Sequence, residues 1–228
     1  MPTSSVSYAG WVINPDFRMK LPRLARLTLL PLLLASVLLL TACHRDEPMP
    51  WQLTDITGHM PDLSFKLTDD TGKTVTAADY RGKVVLLYFG YTHCPDVCPL
   101  TLAHLHVVMQ QLGKLADDTR ILFVSVDPTR DTPDVLHGYV NAFDPHAVGL
   151  TGSAGDIEAL SKRYRSAFTR EPDKGDGSYD VSHSSGIYVF DRDGKARLLA
   201  TPSDTQDKLI HDLHLLLSTG DQSLGNRP

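Results

Sequence analysis

Cys94 and Cys98 stand with three residues between them in Tyr88-Phe89-Gly90-Tyr91-Thr92-His93-Cys94-Pro95-Asp96-Val97-Cys98-Pro99. At that spacing two side chains share one face if the segment is helical. Their sulfurs can then bind one soft ion at ~2.3 Å, the zinc–thiolate scale, or close a disulfide. Pro95 and Pro99 stiffen the loop, so the thiols are held. Dithiol oxidoreductases usually carry two intervening residues. The third changes the angle between the thiols and favours a metal over disulfide exchange. A purely structural disulfide here would close a tiny loop and add little stability. Two sulfurs suit Cu(I) or zinc. On these residues alone, metal and redox chemistry both stay open.

A tight site needs a third ligand, and the chain offers ten histidines. His104 and His106 fall on the helical pattern after the thiols and read as surface. His137, His146, His211 and His214 read as solvated. His93 adjoins Cys94 and is a candidate ligand. His183 lies in a loop before an apolar strand, where a lone histidine is otherwise an ordinary hydrogen-bonded residue.

The elements that position these residues follow from periodicity. Residues 84–89 are apolar on both faces, as a covered central strand requires. Leu102, Leu105, Val108, Met109 and Leu112 then repeat at helical spacing, which predicts a helix over 99–115. Thiols at the top of a buried strand, facing that helix's N-terminus, are expected to be stabilised as thiolates. Residues 120–126 form a second buried strand, parallel to the first. Thr132 followed by Pro133 starts a helix that runs to 143, before a short strand at 148–152. Ser153 caps a helix through 168, and 171–178 is a polar, glycine-bearing excursion. Residues 186–190 and 195–200 form a hairpin about Asp191-Arg192-Asp193-Gly194. Ser203 caps a last helix whose apolar stripe includes Leu209, Leu213, Leu216 and Leu217. An earlier hairpin pairs 63–67 with 74–76. The sum is an α/β chain of thioredoxin-like plan: a mixed central sheet flanked by helices, with an N-terminal hairpin and an inserted β-hairpin.

The N-terminal region has another purpose. Lys20, Arg23 and Arg26 precede an almost wholly apolar stretch at 27–40, then Thr41-Ala42-Cys43. This is the pattern of a secretory signal. The stretch is too short for a membrane span, which needs ~20 residues. Leu40-Thr41-Ala42-Cys43 resembles a bacterial lipobox, so Cys43 is the expected lipidation site. Lipidation accounts for the odd cysteine among three and leaves Cys94 and Cys98 as a pair. The expected division is a signal segment over 1–42 with translation starting at Met19 and a lipid-anchored linker over 43–61, in which Trp51 and Leu53 pack on the domain edge. The domain follows over 62–219, with a loose tail over 220–228. The protein is expected to be exported and membrane-anchored, facing the periplasm or cell exterior.

The net charge of −5, with basic residues outnumbered by acidic ones beyond the signal segment, leaves no basic stripe of the kind nucleic acid requires. No phosphate-binding glycine loop or dinucleotide fingerprint is present, so no nucleotide is expected.

Three separated motifs carry a resemblance. Residues 88–102, Val126-Asp127-Pro128-Thr129-Arg130-Asp131-Thr132-Pro133, and His183-Ser184 ahead of Ile187-Tyr188-Val189-Phe190-Asp191 are similar to the Sco/SenC family, over roughly 62–218. The resemblance implies a thioredoxin-like, membrane-tethered copper protein. Such a protein delivers Cu(I)/Cu(II) to the binuclear copper site of cytochrome c oxidase, its partner being the copper-bearing subunit or another copper enzyme. It implies Cys94, Cys98 and His183 as ligands. The alternative it leaves open is a thiol–disulfide oxidoreductase in which Cys94 and Cys98 reduce a partner's cysteines. The family commonly has Asp where this chain has Ser182, so the groups orienting the imidazole are expected to differ. Asp127 is a candidate for a carboxylate supporting the site.

Overall fold

The structure is a computed structural model and describes residues 51–175 and 178–224. The expected signal segment, Cys43 and the start of the linker lie outside the described residues. Among the described residues no helix is long and apolar enough to cross a membrane.

Among the described residues, ten strands and four α-helices make the domain. Strands β1 (Thr54–Asp55), β2 (Lys66–Asp69), β3 (Thr74–Thr76) and β4 (Val84–Gly90) come first. Helix α1 (Val97–Leu112), β5 (Thr119–Ser125), α2 (Pro133–Asn141), β6 (Ala147–Thr151) and α3 (Ala154–Arg163) follow. The chain closes with β7 (Phe168–Arg170), β8 (Val181–His183), β9 (Ile187–Phe190), β10 (Ala196–Ala200) and α4 (Gln206–Leu224). Eight strands form one mixed sheet in the order β1-β10-β9-β4-β5-β6-β2-β3, while β7 and β8 pair separately. Strands β4, β5 and β6 run parallel, joined by α1 and α2 as crossovers. Every residue of β4 is buried, as its unbroken apolar run requires of a strand covered on both faces. The hairpins β2–β3 and β9–β10 form where the alternation placed them.

Two helix caps are those expected. The Thr132 hydroxyl accepts from Val135 N–H, with Pro133 in the first turn. The Ser153 hydroxyl accepts from Asp156 N–H at 3.1 Å. A third differs: α4 is capped by Thr205, whose hydroxyl accepts from Lys208 N–H. Ser203 instead belongs to a turn closed by Thr201 and Asp204.

Several boundaries move. Helix α3 stops at Arg163 rather than 168, because Arg165 takes a left-handed backbone (φ 53°). Ser166 N–H then reaches the Ser161 carbonyl and Arg165 N–H the Lys162 carbonyl. This is the double bond of a Schellman ending, built without its usual glycine. The freed chain becomes β7, and the polar excursion becomes the link of a β7–β8 ribbon (Phe168↔His183, Arg170↔Val181). At the N-terminal edge the fold begins before 62. Strand β1 pairs with β10, and Leu53 and Ile56 are buried in the core. Gln52 and Leu53 N–H donate to the fully buried Asp212 carboxylate on α4, the latter at 2.9 Å. At the other end α4 continues to Leu224, past the expected limit of 219.

Candidate metal centre

Strand β4 delivers the thiol segment. At its end the Gly90 carbonyl accepts from Val126 N–H at 2.8 Å, so the loop leaves the sheet from a point tied to the end of β5. Gly90 has no room for a side chain. A Cβ there would lie 2.6 Å from Phe123 Cε2 and 3.0 Å from Cys98 Sγ. Cys94 lies in the loop and Cys98 in the first turn of α1.

Helix α1 starts earlier than the sequence suggested, and this splits the thiols' environments. Cys98 N–H, at the helix N-terminus, donates to Cys94 Sγ at 3.5 Å. Cys98 itself faces inward and is fully buried. Burial pushes its thiol up to about 12, with the nearby Cys94 sulfur acting the same way. The expected thiolate stabilisation therefore fails for Cys98: desolvation outweighs the helix end. Tyr88 Oη donates to Cys98 Sγ at 3.7 Å, and burial raises the phenol as well.

His183 ends β8 and enters from the opposite side. Its Nδ1 pairs with the Ser184 carbonyl at 2.9 Å. A carbonyl only accepts, so Nδ1 carries the hydrogen. The lone pair is then on Nε2, which accepts from the Cys98 thiol at 3.2 Å. Burial lowers the imidazole pKa, with the Ser184 bond opposing it, and the neutral, ligating form is favoured. Tyr88 and Tyr91 stand edge-on to the ring, with centroids 6.1 and 5.9 Å away. Cys94, Cys98 and His183 each offer one ligand atom, and these atoms all lie within 4.8 Å of one another. Two sulfurs and an imidazole nitrogen that carries a lone pair, in an apolar surround, fit a soft ion.

The other candidates stand apart from this group. His93 turns to the Thr92 hydroxyl, 3.0 Å away, and its ring is largely exposed. His106 and His146 share the buried Asp144. Asp127 makes no hydrogen bond to Cys94, Cys98 or His183 among the described residues. Its carboxylate accepts from Tyr179 Oη at 2.7 Å and from Arg130 Nε. Ser182 donates to Glu171 Oε1 at 2.8 Å, on the exposed side of the ribbon and away from the imidazole. Sequence reasoning missed the enclosing roles of Tyr88 and Tyr91, though both flank the thiol motif, and the orienting Ser184 carbonyl, which no side-chain pattern reports.

A thioredoxin-like α/β domain that gathers two thiols and an imidazole beyond its central strand is a metal-binding member of that fold class. The family model SCO1/SenC matches residues 56–218, and the chain belongs to that family. The bovine mitochondrial protein SCO2 homolog is 44% identical over 132 residues, which is 57% of this chain and 50% of that one. The chain spans about half the length of the curated relatives it matches. The copper-bound structure of ScoI from Bradyrhizobium japonicum is 41% identical, with a TM-score of 0.63. It covers 68% of this chain and 98% of its own. BsSco, described as having a disulfide switch and as a member of the Sco family of cytochrome c oxidase assembly proteins, is 25% identical with a TM-score of 0.57. It covers 73% of this chain and 97% of its own.

Proposed function

We propose that this protein is a copper chaperone that carries copper as cargo on Cys94, Cys98 and His183. It delivers that copper to the binuclear site of a cytochrome c oxidase subunit during assembly. The observation that carries the reading is the gathering of three ligand atoms, the sulfurs of Cys94 and Cys98 and Nε2 of His183, all within 4.8 Å of one another. On loading, Cys98 gives up its proton as copper binds the sulfur. Cys94 and Cys98 hold Cu(I), and the neutral His183 completes a site that also accepts Cu(II). Unloading reverses these steps: acceptor ligands replace the sulfurs one at a time, and Cys98 recovers a proton. No electron moves in this transfer. The signal-like segment and lipobox-like Cys43 support an exported protein tethered to a membrane by lipid, with its domain outside the cytoplasm.

A second reading has one observation in its favour. Cys94 and Cys98 are free thiols, close enough together to reduce a partner's disulfide while forming their own. One experiment separates the two. Copper-loaded protein is mixed with an acceptor domain whose cysteines are already reduced, and the acceptor's binuclear-copper absorption is followed. The chaperone reading expects stoichiometric transfer, lost in His183→Ala. If transfer fails and the protein reduces the oxidised acceptor equally well with and without His183, the reductase reading replaces it.

A further inference from the structure

The ribbon that carries His183 is not a strand of the main sheet, so something else must fix the third ligand opposite the thiols. Val181 N–H donates to Tyr91 Oη at 3.4 Å, and the 127–131 loop touches both the ribbon and the thiol segment. The Tyr179 ring lies between two guanidinium groups, with Arg130 Cζ 3.7 Å and Arg170 Cζ 3.5 Å from its centroid. Arg170 is on β7, and Tyr179 lies two residues before β8. Arg130 Nη1 also donates to the Tyr179 carbonyl at 3.1 Å. Asp127 closes the unit by accepting from both Arg130 Nε and Tyr179 Oη. The guanidinium is largely buried, and its Nη2 has no hydrogen-bond partner. An aliphatic side chain would fill the space without that cost. The same loop grips the thiol segment through its fully buried Asp131. That carboxylate accepts from Thr92 N–H at 3.0 Å, Thr92 Oγ1 at 2.6 Å and Ser125 Oγ at 2.6 Å.

We infer that Arg130 is a positioning residue for copper binding, which seats the His183 ribbon through the Tyr179 stack while Asp131 seats the cysteine loop. One five-residue loop thereby sets the distance between imidazole and thiols. This rests on the copper reading only for its metal arm. The effect falls on states that need all three ligands. In Arg130→Met, Cu(I) affinity stays within ~3-fold, because both sulfurs remain in place, while the Cu(II) dissociation constant rises at least ~10-fold, the scale for losing a ligand's support. The thiolate-to-copper absorption band shifts to that of His183→Ala, and Arg130→Met adds nothing further in the His183→Ala background. Arg130→Lys does not rescue, since an ammonium cannot stack or fork as a guanidinium does. Arg170→Met, on the exposed side of the ring, shifts the same band by less and keeps the test valid should Arg130→Met unfold.

A copper-free arm separates the two claims. Ring-nitrogen NMR of His183 in the apo protein is expected to report the Nδ1–H tautomer in wild type and a tautomer mixture in Arg130→Met and Arg170→Met. Wild-type Cu(II) spectra and an unchanged imidazole in both variants overturn the inference. A wild type that takes no copper overturns the functional reading, and the imidazole signal still decides the positioning role.

Discussion

Gly90 is the point where packing and metal site meet, and Gly90→Ala tests whether they are coupled as described. The added Cβ would sit 2.6 and 2.9 Å from Phe123 Cε2 and Cζ, and 3.0 Å from Cys98 Sγ. Reaching the ~3.5 Å optimum requires the Phe123 ring to retreat by roughly 1 Å. That ring is fully buried and packs on Tyr88 and Tyr139, with centroids at 6.0 and 5.5 Å, so its neighbours must move with it. Overpacking of this kind costs about 1–3 kcal/mol. In a domain of this size each 1 kcal/mol lowers Tm by ~2–4 °C, so a fall of roughly 2–12 °C is expected. Cys98 must shift as well, which widens its distance to His183 Nε2 and weakens copper binding. Gly138→Ala is the control: it lies inside α2 with nothing within 4 Å of its added Cβ. It should raise stability by ~1 kcal/mol through helix propensity. The assay is thermal unfolding of both apo variants followed by anaerobic copper titration. A Gly90→Ala protein with wild-type Tm and wild-type copper affinity would refute the close packing of strand end, ring and sulfur.

Three further outcomes follow from the same structure. Because burial raises the Cys98 thiol to about 12, it carries a proton through the neutral range, and copper must displace it. Cu(I) affinity should therefore rise with pH by about 10-fold per unit from this thiol alone, and a pH-independent affinity would contradict its buried, protonated state. Asp212→Ala leaves the Gln52 and Leu53 amides without their acceptor and should cost about 1–3 kcal/mol by thermal or urea unfolding. A chain begun at 62 should be destabilised further, since it also loses the buried Leu53 and Ile56; equal stability would place the domain edge at 62 after all. Ser182→Asp should change copper affinity by less than ~3-fold, because the side chain at this position points to Glu171 and not to the imidazole. A larger gain in affinity would show that this side chain reaches the site.

What the sequence revealed tracks the range of the interactions. The central strands were legible because β4 and β5 are continuous apolar runs, and the Thr132 and Ser153 caps because they act within three residues. The cysteine pair was legible as a soft-ligand motif. The β7–β8 ribbon was not, since it depends on Arg165 adopting a left-handed backbone without the glycine that marks such a turn. Strand β1 was hidden for a different reason: its partner β10 is far along the chain, and the residues just before it are held by a carboxylate 160 residues away. His183 could be placed at the site only through resemblance. Spacing could not have shown that its Nε2 carries the lone pair, because a backbone carbonyl sets that tautomer. Nor could it have shown that Arg130 stacks on Tyr179 ahead of β8 while Asp131 accepts from Thr92 in the thiol segment.

The central claim is that Cys94, Cys98 and His183 form one copper site. Anaerobic titration of wild type beside Cys94→Ser, Cys98→Ser and His183→Ala tests it most directly. The account predicts one copper per wild-type chain, loss of tight Cu(I) binding in either serine variant, and retained Cu(I) with lost Cu(II) binding in His183→Ala. Full Cu(II) affinity and an unchanged spectrum in His183→Ala would contradict it.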